Sequence, residues 1–304
     1  MPKSAVSLLE RARTYGAVRE YARSNPGLGP SAATRELKRK GYTVPSRETV
    51  RHWILDATSP LTGVNVFTPL PSDELSFFLG SWLGDGWGDE SDGGKRMRLK
   101  VRSQSFAVEF AHAASVLLSK SKDYRVWKTA DEHGSWYNVK VTSVQLYKYV
   151  TQDLEVLRRV IVPFACGFLR GFATAEGCPS VSISKRRGPR IDVGVTISNS
   201  DLDLLCFSRD LLKEQGFRPG KIRLNFPEGH KTNISVATRD AWLLSVSRLD
   251  DVQKFADSIG FADSEKQTKL CDAIRFIRES GPIGGAKRWL ERYEKVRHKW
   301  VRNN

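Results

Sequence analysis

The sequence predicts an α+β protein: two αββαββα repeats related by a pseudo-twofold axis, preceded by a small helical domain. Three observations carry that reading. Phe78-Leu-Gly-Ser-Trp-Leu-Gly-Asp-Gly86 and Leu169-Arg-Gly-Phe-Ala-Thr-Ala-Glu-Gly177 are both apolar helical runs with small residues one turn apart, each closing on a carboxylate and a glycine. Their acids, Asp85 and Glu176, stand 91 positions apart (176 − 85), the size of one small repeat unit. After each acid the strand and helix patterns follow in the same order, which is the signature of internal duplication.

The 304 residues are enough for two or three units with real cores. Hydrophobic and aromatic contents of 40% and 10% fit a globular chain and exclude a disordered one. The formal net charge of +15 favours a polyanionic partner through counterion release and long-range steering. Cys166, Cys178, Cys206 and Cys271 form no CxxC pair and have no histidine at ligand spacing, so they read as buried small hydrophobes. No signal peptide or long apolar run is present, and the expectation is an intracellular protein of the cytoplasm or nucleoid.

Residues 1–70 read as a helical extension and linker. Val6, Leu8, Leu9, Ala12, Val18 and Tyr21 give residues 4–24 a helical stripe. Ser31 is the expected cap of a second helix, Ala32 to Lys40, and Ser46 that of a third, Arg47 to Leu55. Helix, glycine-containing turn and basic helix have helix-turn-helix order, which would place Ser46, Arg47, Thr49, Val50 and Arg51 at DNA. A plain helical hairpin packed on the rest of the chain is the other reading of the same pattern. Pro60, Pro69 and Pro71 mark residues 56–72 as a surface linker.

Residues 71–160 are the first repeat. Its first helix, Ser72 to Leu83, is followed by strands near 87–92 and 95–102, helix 105–119, strands near 124–129 and 136–142, and a helix from Ser143. Residues 161–250 repeat the order with helix 161–175, strands near 180–186 and 190–197, helix 200–215, strands near 220–226 and 232–237, and a helix from Arg239. Residues 251–304 read as helical, divided at Gly281-Pro-Ile-Gly-Gly285 and closed by a basic helix with Trp289, Tyr293 and Trp300.

The chemistry lies in the motif helices and the strands. Gly80 and Gly84, and likewise Gly167, Gly171 and Ala175, make smooth stripes that let two helix backbones approach closely. A carboxylate at a helix C-terminus is unfavourable, and two brought together repel further. A divalent cation resolves the conflict, and oxygen-only ligands beside a substrate phosphate suit Mg²⁺. In the strand 95–102, Arg96, Arg98, Lys100 and Arg102 fall on one face, and Met97, Leu99 and Val101 on the other. Such a row of like charges invites a polyanion. The second repeat has milder counterparts. Lys221, Arg223 and Asn225 alternate with Ile222, Leu224 and Phe226, and Ser180, Ser182, Ser184 and Arg186 alternate with Val181, Ile183 and Lys185. Arg187, Arg190 and Lys231 add cations beside these strands. Strands of this kind fit the major groove, where long cationic side chains serve phosphates and guanine edges.

The two acid motifs and the αββαββα order resemble the LAGLIDADG homing endonucleases in their single-chain, two-repeat form, over about residues 72–250. The N-terminal segment is similar to extensions on some intron-encoded archaeal members. The resemblance implies a monomer with a saddle of two antiparallel sheets over a long asymmetric double-stranded DNA site. It also implies Mg²⁺-dependent cleavage of both strands leaving short 3′ overhangs, the number of ions being open. Asp85 and Glu176 match the direct metal ligands, with the carbonyls of Gly84 and Ala175 as helpers. Lys140 matches the strand lysine that acts on the water network. Gln104, or Ser103, matches the polar residue at the strand-to-helix join. Asn199 and Ser235 are expected at the corresponding places of the second repeat. No lysine stands where the mate of Lys140 belongs, which leaves Lys185, Arg186 or Lys231 as substitutes. Thr174 stands where the family often has Asp, a departure that threatens packing more than metal binding.

Three other readings compete. An RNA-binding maturase of the host intron would use the same basic saddle without needing the acids. An intein endonuclease needs a nucleophile-led splicing block, which neither Met1-Pro-Lys nor Asn303-Asn304 supplies. A helix-turn-helix regulator leaves the duplicated acids unexplained.

Overall fold

The computed structural model describes residues 8–55, 67–89, 95–132, 134–184, 188–231, 236–296 and 299–303. The chain divides into two compact units, Met1–Asn65 and Val66–Asn304.

The first unit holds α1 (Leu8–Ser24), α2 (Pro30–Arg39) and α3 (Arg47–Ile54). Its core is Val18, Ala33, Leu37, Val50 and Trp53. The N-terminus of α2 departs from expectation. Gly29 occupies the cap position without a side-chain bond and Pro30 is the first helical residue, so Ser31 lies inside the helix. Proline is pre-set for that place because its missing N–H would have no helical partner there. Gly41 turns the chain at φ +81°, and Ser46 caps α3 by accepting from the Thr49 amide at 3.2 Å. Arg19 ties α1 to the end of α3 through the carbonyls of Trp53 and Ile54, at 3.1 and 3.0 Å. Val50 is fully buried in this core, which removes it from the residues expected at DNA, whereas Arg47 and Arg51 are exposed.

The second unit is the duplication. The first repeat runs α4 (Asp73–Asp85), β1 (Gly86–Asp89), β2 (Arg96–Val101), α5 (Gln104–Leu117), β3 (Val126–Asp131), β4 (Gly134–Thr142) and α6 (Val144–Val150). After α7 (Leu154–Ile161) and a 3₁₀ turn come α8 (Ala165–Glu176), β5 (Gly177–Ser184), β6 (Arg190–Asn199), α9 (Leu202–Glu214), β7 (Arg223–Phe226), β8 (Ala241–Val246) and α10 (Leu249–Ser258). Each repeat makes an antiparallel four-stranded sheet, in the orders β1-β2-β4-β3 and β5-β6-β8-β7. In β2, Met97, Leu99 and Val101 are buried, as the alternation requires.

The second repeat differs from its expected layout near its end. The fourth strand is β8, and the helix expected from Arg239 starts at Leu249. Ala241-Trp-Leu-Leu is a continuous apolar run, which periodicity alone does not assign to strand or helix. The strand expected at 232–237 lies largely outside the described residues. On the edge strand β7, Leu224 and Phe226 are exposed rather than inward-facing.

The C-terminal segment also differs. The chain continues into α11 (Ser264–Arg292), broken at Gly281 with φ +66°, and ends in a hairpin of β9 (Tyr293–Val296) and β10 (Lys299–Arg302) instead of a helix. Three contacts hold it. The Tyr293 hydroxyl donates to Asp272 at 2.8 Å, Trp289 stacks on Tyr293 at 4.0 Å, and the Trp300 indole donates to the Val181 carbonyl on the edge strand β5. All four cysteines are free, and none is fully buried; Cys178 and Cys271 are exposed. Among the described residues no helix is long and apolar enough to cross a membrane.

The two repeats meet through α4 and α8, and the glycines are why. A Cβ on Gly80 would collide with the Phe168 carbonyl and lie 2.8 Å from the Phe172 amide nitrogen. One on Gly171 would collide with the Phe77 carbonyl and lie 2.8 Å from the Ser81 amide. One on Gly167 would lie 2.8 Å from the Asp73 carbonyl oxygen. Backbone therefore packs on backbone at these three glycines. A bond beside this contact joins the repeats again, the bidentate pair of Arg170 on α8 with Glu109 on α5 at 2.7 and 2.9 Å, while the Ser76 hydroxyl ties α4 to α7 by donating to the Val160 carbonyl at 3.1 Å. Gly80→Ala and Gly171→Ala are each expected to cost roughly 1–3 kcal/mol, as overpacking does. Urea denaturation of the full chain checks this, and wild-type midpoints for both variants would refute the close approach.

Candidate active site

Asp85 and Glu176 are the last residues of α4 and α8, and each helix passes straight into a strand. The glycine after each acid makes this possible. A Cβ on Gly86 would lie 2.5 Å from the Trp82 ring, and one on Gly177 would lie 2.6 Å from the Ala173 carbonyl oxygen. Because α4 and α8 cross in contact, their ends bring the two acids together. At Gly84 a side chain would strike Ala175 and sit 3.3 Å from Glu176 Cγ and 3.7 Å from its Oε1.

Both acids are held above the ordinary carboxylate range. Burial raises Asp85 to about 6, with the Lys266 ammonium opposing it. Burial, then the neighbouring Asp85 charge, raises Glu176 to about 7, while Lys266 and a hydrogen bond from Asn199 pull it down. The Asn199 side-chain Oδ1 accepts from the Asp201 amide at 2.7 Å, which leaves its NH₂ to donate to Glu176. The two carboxylates, crowded by protein but not sealed from solvent, form an oxygen-only donor set that is short of positive charge. A hard divalent cation fits such a set, completed by water and phosphate oxygens. Among the described residues no group of three or more His, Cys, Asp or Glu side chains is placed to hold a metal, so protein ligands alone do not close a shell.

The register locates the remaining expected residues. Gly86 pairs with Leu99 and Leu99 with Val139; Gly177 pairs with Ile197 and Ile197 with Leu244. Lys140 therefore corresponds to Ser245 and not to Ser235, which lies outside the described residues. Ser103 and Asp201 both cap the following helix, so Gln104 corresponds to Leu202 and Asn199 to Val101. Asn199 nonetheless reaches the acid pair. Lys140 is exposed and paired with Arg98 on the outer face of its sheet, and Gln104 is exposed at the start of α5. Thr174 is buried; its hydroxyl donates to the Arg170 carbonyl at 2.7 Å and accepts from the Ala262 amide at 2.8 Å, so threonine serves packing where Asp was expected.

The cation row of β2 is less bare than its sequence suggests. Asp89 on β1 lies 2.9 Å from Arg98 and 3.8 Å from Arg96, and Asp131 on β3 lies 3.4 Å from Lys100. Arg102 and Lys100 lie 4.5 and 4.8 Å from the Trp136 ring centre. Flanking carboxylates thus relieve much of the repulsion expected to demand a polyanion. In the second sheet Ser182 and Ser184 are exposed, with Ser184 opposite Arg190. Lys221, Arg223 and Lys231 are exposed, and Asn225 donates to the Ser198 hydroxyl at 3.2 Å. Lys185, Arg186 and Arg187 lie outside the described residues.

Sequence reasoning missed Lys266, on the first turn of α11. Its ammonium donates to the carbonyls of Thr174 and Gly177 at 2.6 and 2.7 Å. Burial lowers its pKa, while Asp263, Cys178, Asp85 and Glu176 favour its charged form. Nothing in the local sequence marks it, because it reaches the site only through tertiary packing.

Residues 163–260 match the family model of the LAGLIDADG-like domain. An uncharacterized protein of Methanocaldococcus jannaschii is 26% identical over 231 residues, covering 74% of this chain and 80% of the relative. A structure of the homing endonuclease I-DmoI in complex with DNA and Mn is similar at 20% identity and a TM-score of 0.43, covering 62% of this chain and 96% of that one. One of the LAGLIDADG meganuclease I-AabMI bound to uncleaved DNA is similar at 11% identity and a TM-score of 0.45, covering 70% and 96%.

The raised carboxyl pKa values set a pH dependence. The acids ordinarily titrate at 3.8 and 4.5, and in the fold at about 6 and about 7. As pH climbs the unfolded chain loses these protons first, so the metal-free fold loses stability between those limits. In chelator, the gain in melting temperature of Glu176→Gln over wild type should be larger at about pH 8 than at about pH 5. An equal difference at both would contradict burial as the cause.

Proposed function

We propose that the chain, whose residues 163–260 match the family model of the LAGLIDADG-like domain, is a DNA endonuclease that cuts both strands of a long asymmetric site in a divalent-metal-dependent reaction, leaving short 3′ overhangs. Mg²⁺ is the expected ion. An intron-encoded homing role follows from the same resemblance. The observation that carries the reading is the meeting of two matched acid-ended helices at the junction of two matched sheets.

The reaction is in-line attack of water on a phosphodiester. A divalent cation held by these residues would supply Lewis acidity for activating water and for neutralising charge on the leaving oxygen. The protein's part is geometry. Asp85 and Glu176, with the Gly84 and Ala175 carbonyls, would hold the ion. Asn199 orients Glu176, Gln104 stands near the strand-to-helix join, and Lys140 offers a cation on the first sheet. The outer sheet faces hold the duplex: Arg96, Arg98, Lys100 and Arg102 on one side, Ser182, Ser184, Arg190, Arg223 and Asn225 on the other. Arg47 and Arg51 on α3 give the N-terminal unit a basic helix face for the same DNA. Bending at the centre adds sequence selectivity through deformation energy.

A maturase reading has one observation in its favour. Trp87, Trp127 and Trp136 share the outer face of the first sheet with the cations, by their pairing with Arg98, Asn138 and Thr129. Aromatic rings among cations suit unstacked bases of RNA.

Cleavage of a randomised plasmid library with Mg²⁺ tests the main reading: the wild type gives discrete double-strand cuts that chelator abolishes. Asp85→Asn and Glu176→Gln are each expected to remove cleavage and keep DNA binding. Loss of binding in equal measure would sink the catalytic assignment. Neutralising Arg98 and Lys100 should weaken binding and flatten its salt dependence, since fewer counterions are released. Absence of cuts, with tight binding to structured RNA, would favour the maturase.

A further inference from the structure

The two halves of the site are unequal in charge. The first sheet brings Lys140; the register puts Ser245 at the matching place of the second. The cation on the second side comes from elsewhere. Lys266 belongs to neither αββαββα order, being carried by α11. Its ammonium grips the two carbonyls that flank Ala175 and Glu176, at 2.6 and 2.7 Å. The last carbonyls of a helix have no intrahelical donor, and a cation there also complements the helix dipole.

The helix start that carries Lys266 is fixed to both repeats. The Ser264 amide donates to Ser105 Oγ on α5 at 2.9 Å, and the Ala262 amide donates to Thr174 Oγ1 on α8 at 2.8 Å. Asp263 caps α11 through the amides of Glu265 and Lys266, and Gln267 accepts from the Phe261 amide at 2.8 Å. A long flexible side chain is thereby held in one place, its Nζ 6.0 Å from the Phe261 ring centre.

We propose that Lys266 is a positioning residue for Glu176: it clamps the α8 terminus on both sides of the acid and supplies, from outside the duplication, the cation that the strand of the second repeat lacks. This rests on the endonuclease reading for its catalytic consequence, while the clamp itself does not. Loss of the clamp lets the α8 end move, which disturbs the strand cut served by the second half more than the one served by the half with Lys140. A displacement of about an ångström at a reacting centre costs on the order of 100-fold in rate.

The test compares full-length wild type, Lys266→Met, Lys266→Arg and Gln267→Ala. Gln267→Ala loosens the same helix start without touching the α8 carbonyls. Two readouts are taken: strand-resolved cleavage of a supercoiled target with Mg²⁺, and amide hydrogen exchange of residues 173–178 in chelator. The expected result for Lys266→Met is accumulation of nicked circle, a kcat roughly 100-fold lower for one strand at unchanged KM, and faster exchange at 173–178. Lys266→Arg restores part of both, and Gln267→Ala lowers the melting temperature without nicking. Equal slowing of both strands shared by Gln267→Ala, or unchanged exchange at 173–178 in Lys266→Met, would overturn the proposal. Wild type that cuts nothing sinks the endonuclease reading alone, and the exchange measurement then decides the clamp by itself.

Discussion

Everything in the larger unit follows from how closely α4 and α8 approach. Side-chain-sized gaps between them would separate the acids and part the two halves of the core. Instead Gly80, Gly167 and Gly171 place backbone against backbone, and Gly84 faces Ala175 and Glu176 at the end of the crossing. One contact therefore does three things: it buries the apolar faces of both motif helices, it joins the repeats, and it delivers one carboxylate from each to a common point. The glycines that follow the acids turn each helix directly into a strand, so each sheet is referred to the same point.

That point is electrostatically unsatisfied. Burial pushes both carboxyls upward, the Asp85 charge pushes Glu176 further, and the helix ends add partial negative charge of their own. Lys266 and Asn199 relieve part of the strain on Glu176, and Lys266 opposes the rise at Asp85. Such frustration is unusual in a structural core and ordinary at a functional site. A bound cation with phosphate oxygens would remove it. The sheets tell a complementary story. Their outer faces are cationic without being overloaded, because Asp89 and Asp131 stand among the arginines and lysine of the first sheet.

Much of this was legible in the sequence because duplication and alternation are local signals. The spacing of Asp85 and Glu176, the glycine stripes and the buried Met97, Leu99 and Val101 are all readable from residue order. What was not legible depends on tertiary choice. The run Ala241-Trp-Leu-Leu forms β8 because β6 offers it a partner, and that moved the counterpart of Lys140 from Ser235 to Ser245. Val50 looked like a groove-facing residue until its unit's own core claimed it. Tyr293 and Trp300 have helical spacing from Trp289, yet the chain turns into a hairpin where Asp272 and the Val181 carbonyl can satisfy their polar atoms. Lys266 is the extreme case, a surface-type residue in an ordinary helix start whose role exists only in three dimensions.

The ends of α4 and α8 are proposed to make one cation site together. Crystals of the protein with duplex DNA and Mn²⁺, measured at the manganese absorption edge, test it most directly. Anomalous density is expected between the carboxylates of Asp85 and Glu176, beside the Gly84 and Ala175 carbonyls. Well-ordered carboxylates with no anomalous density between them, or manganese bound only elsewhere, would contradict it.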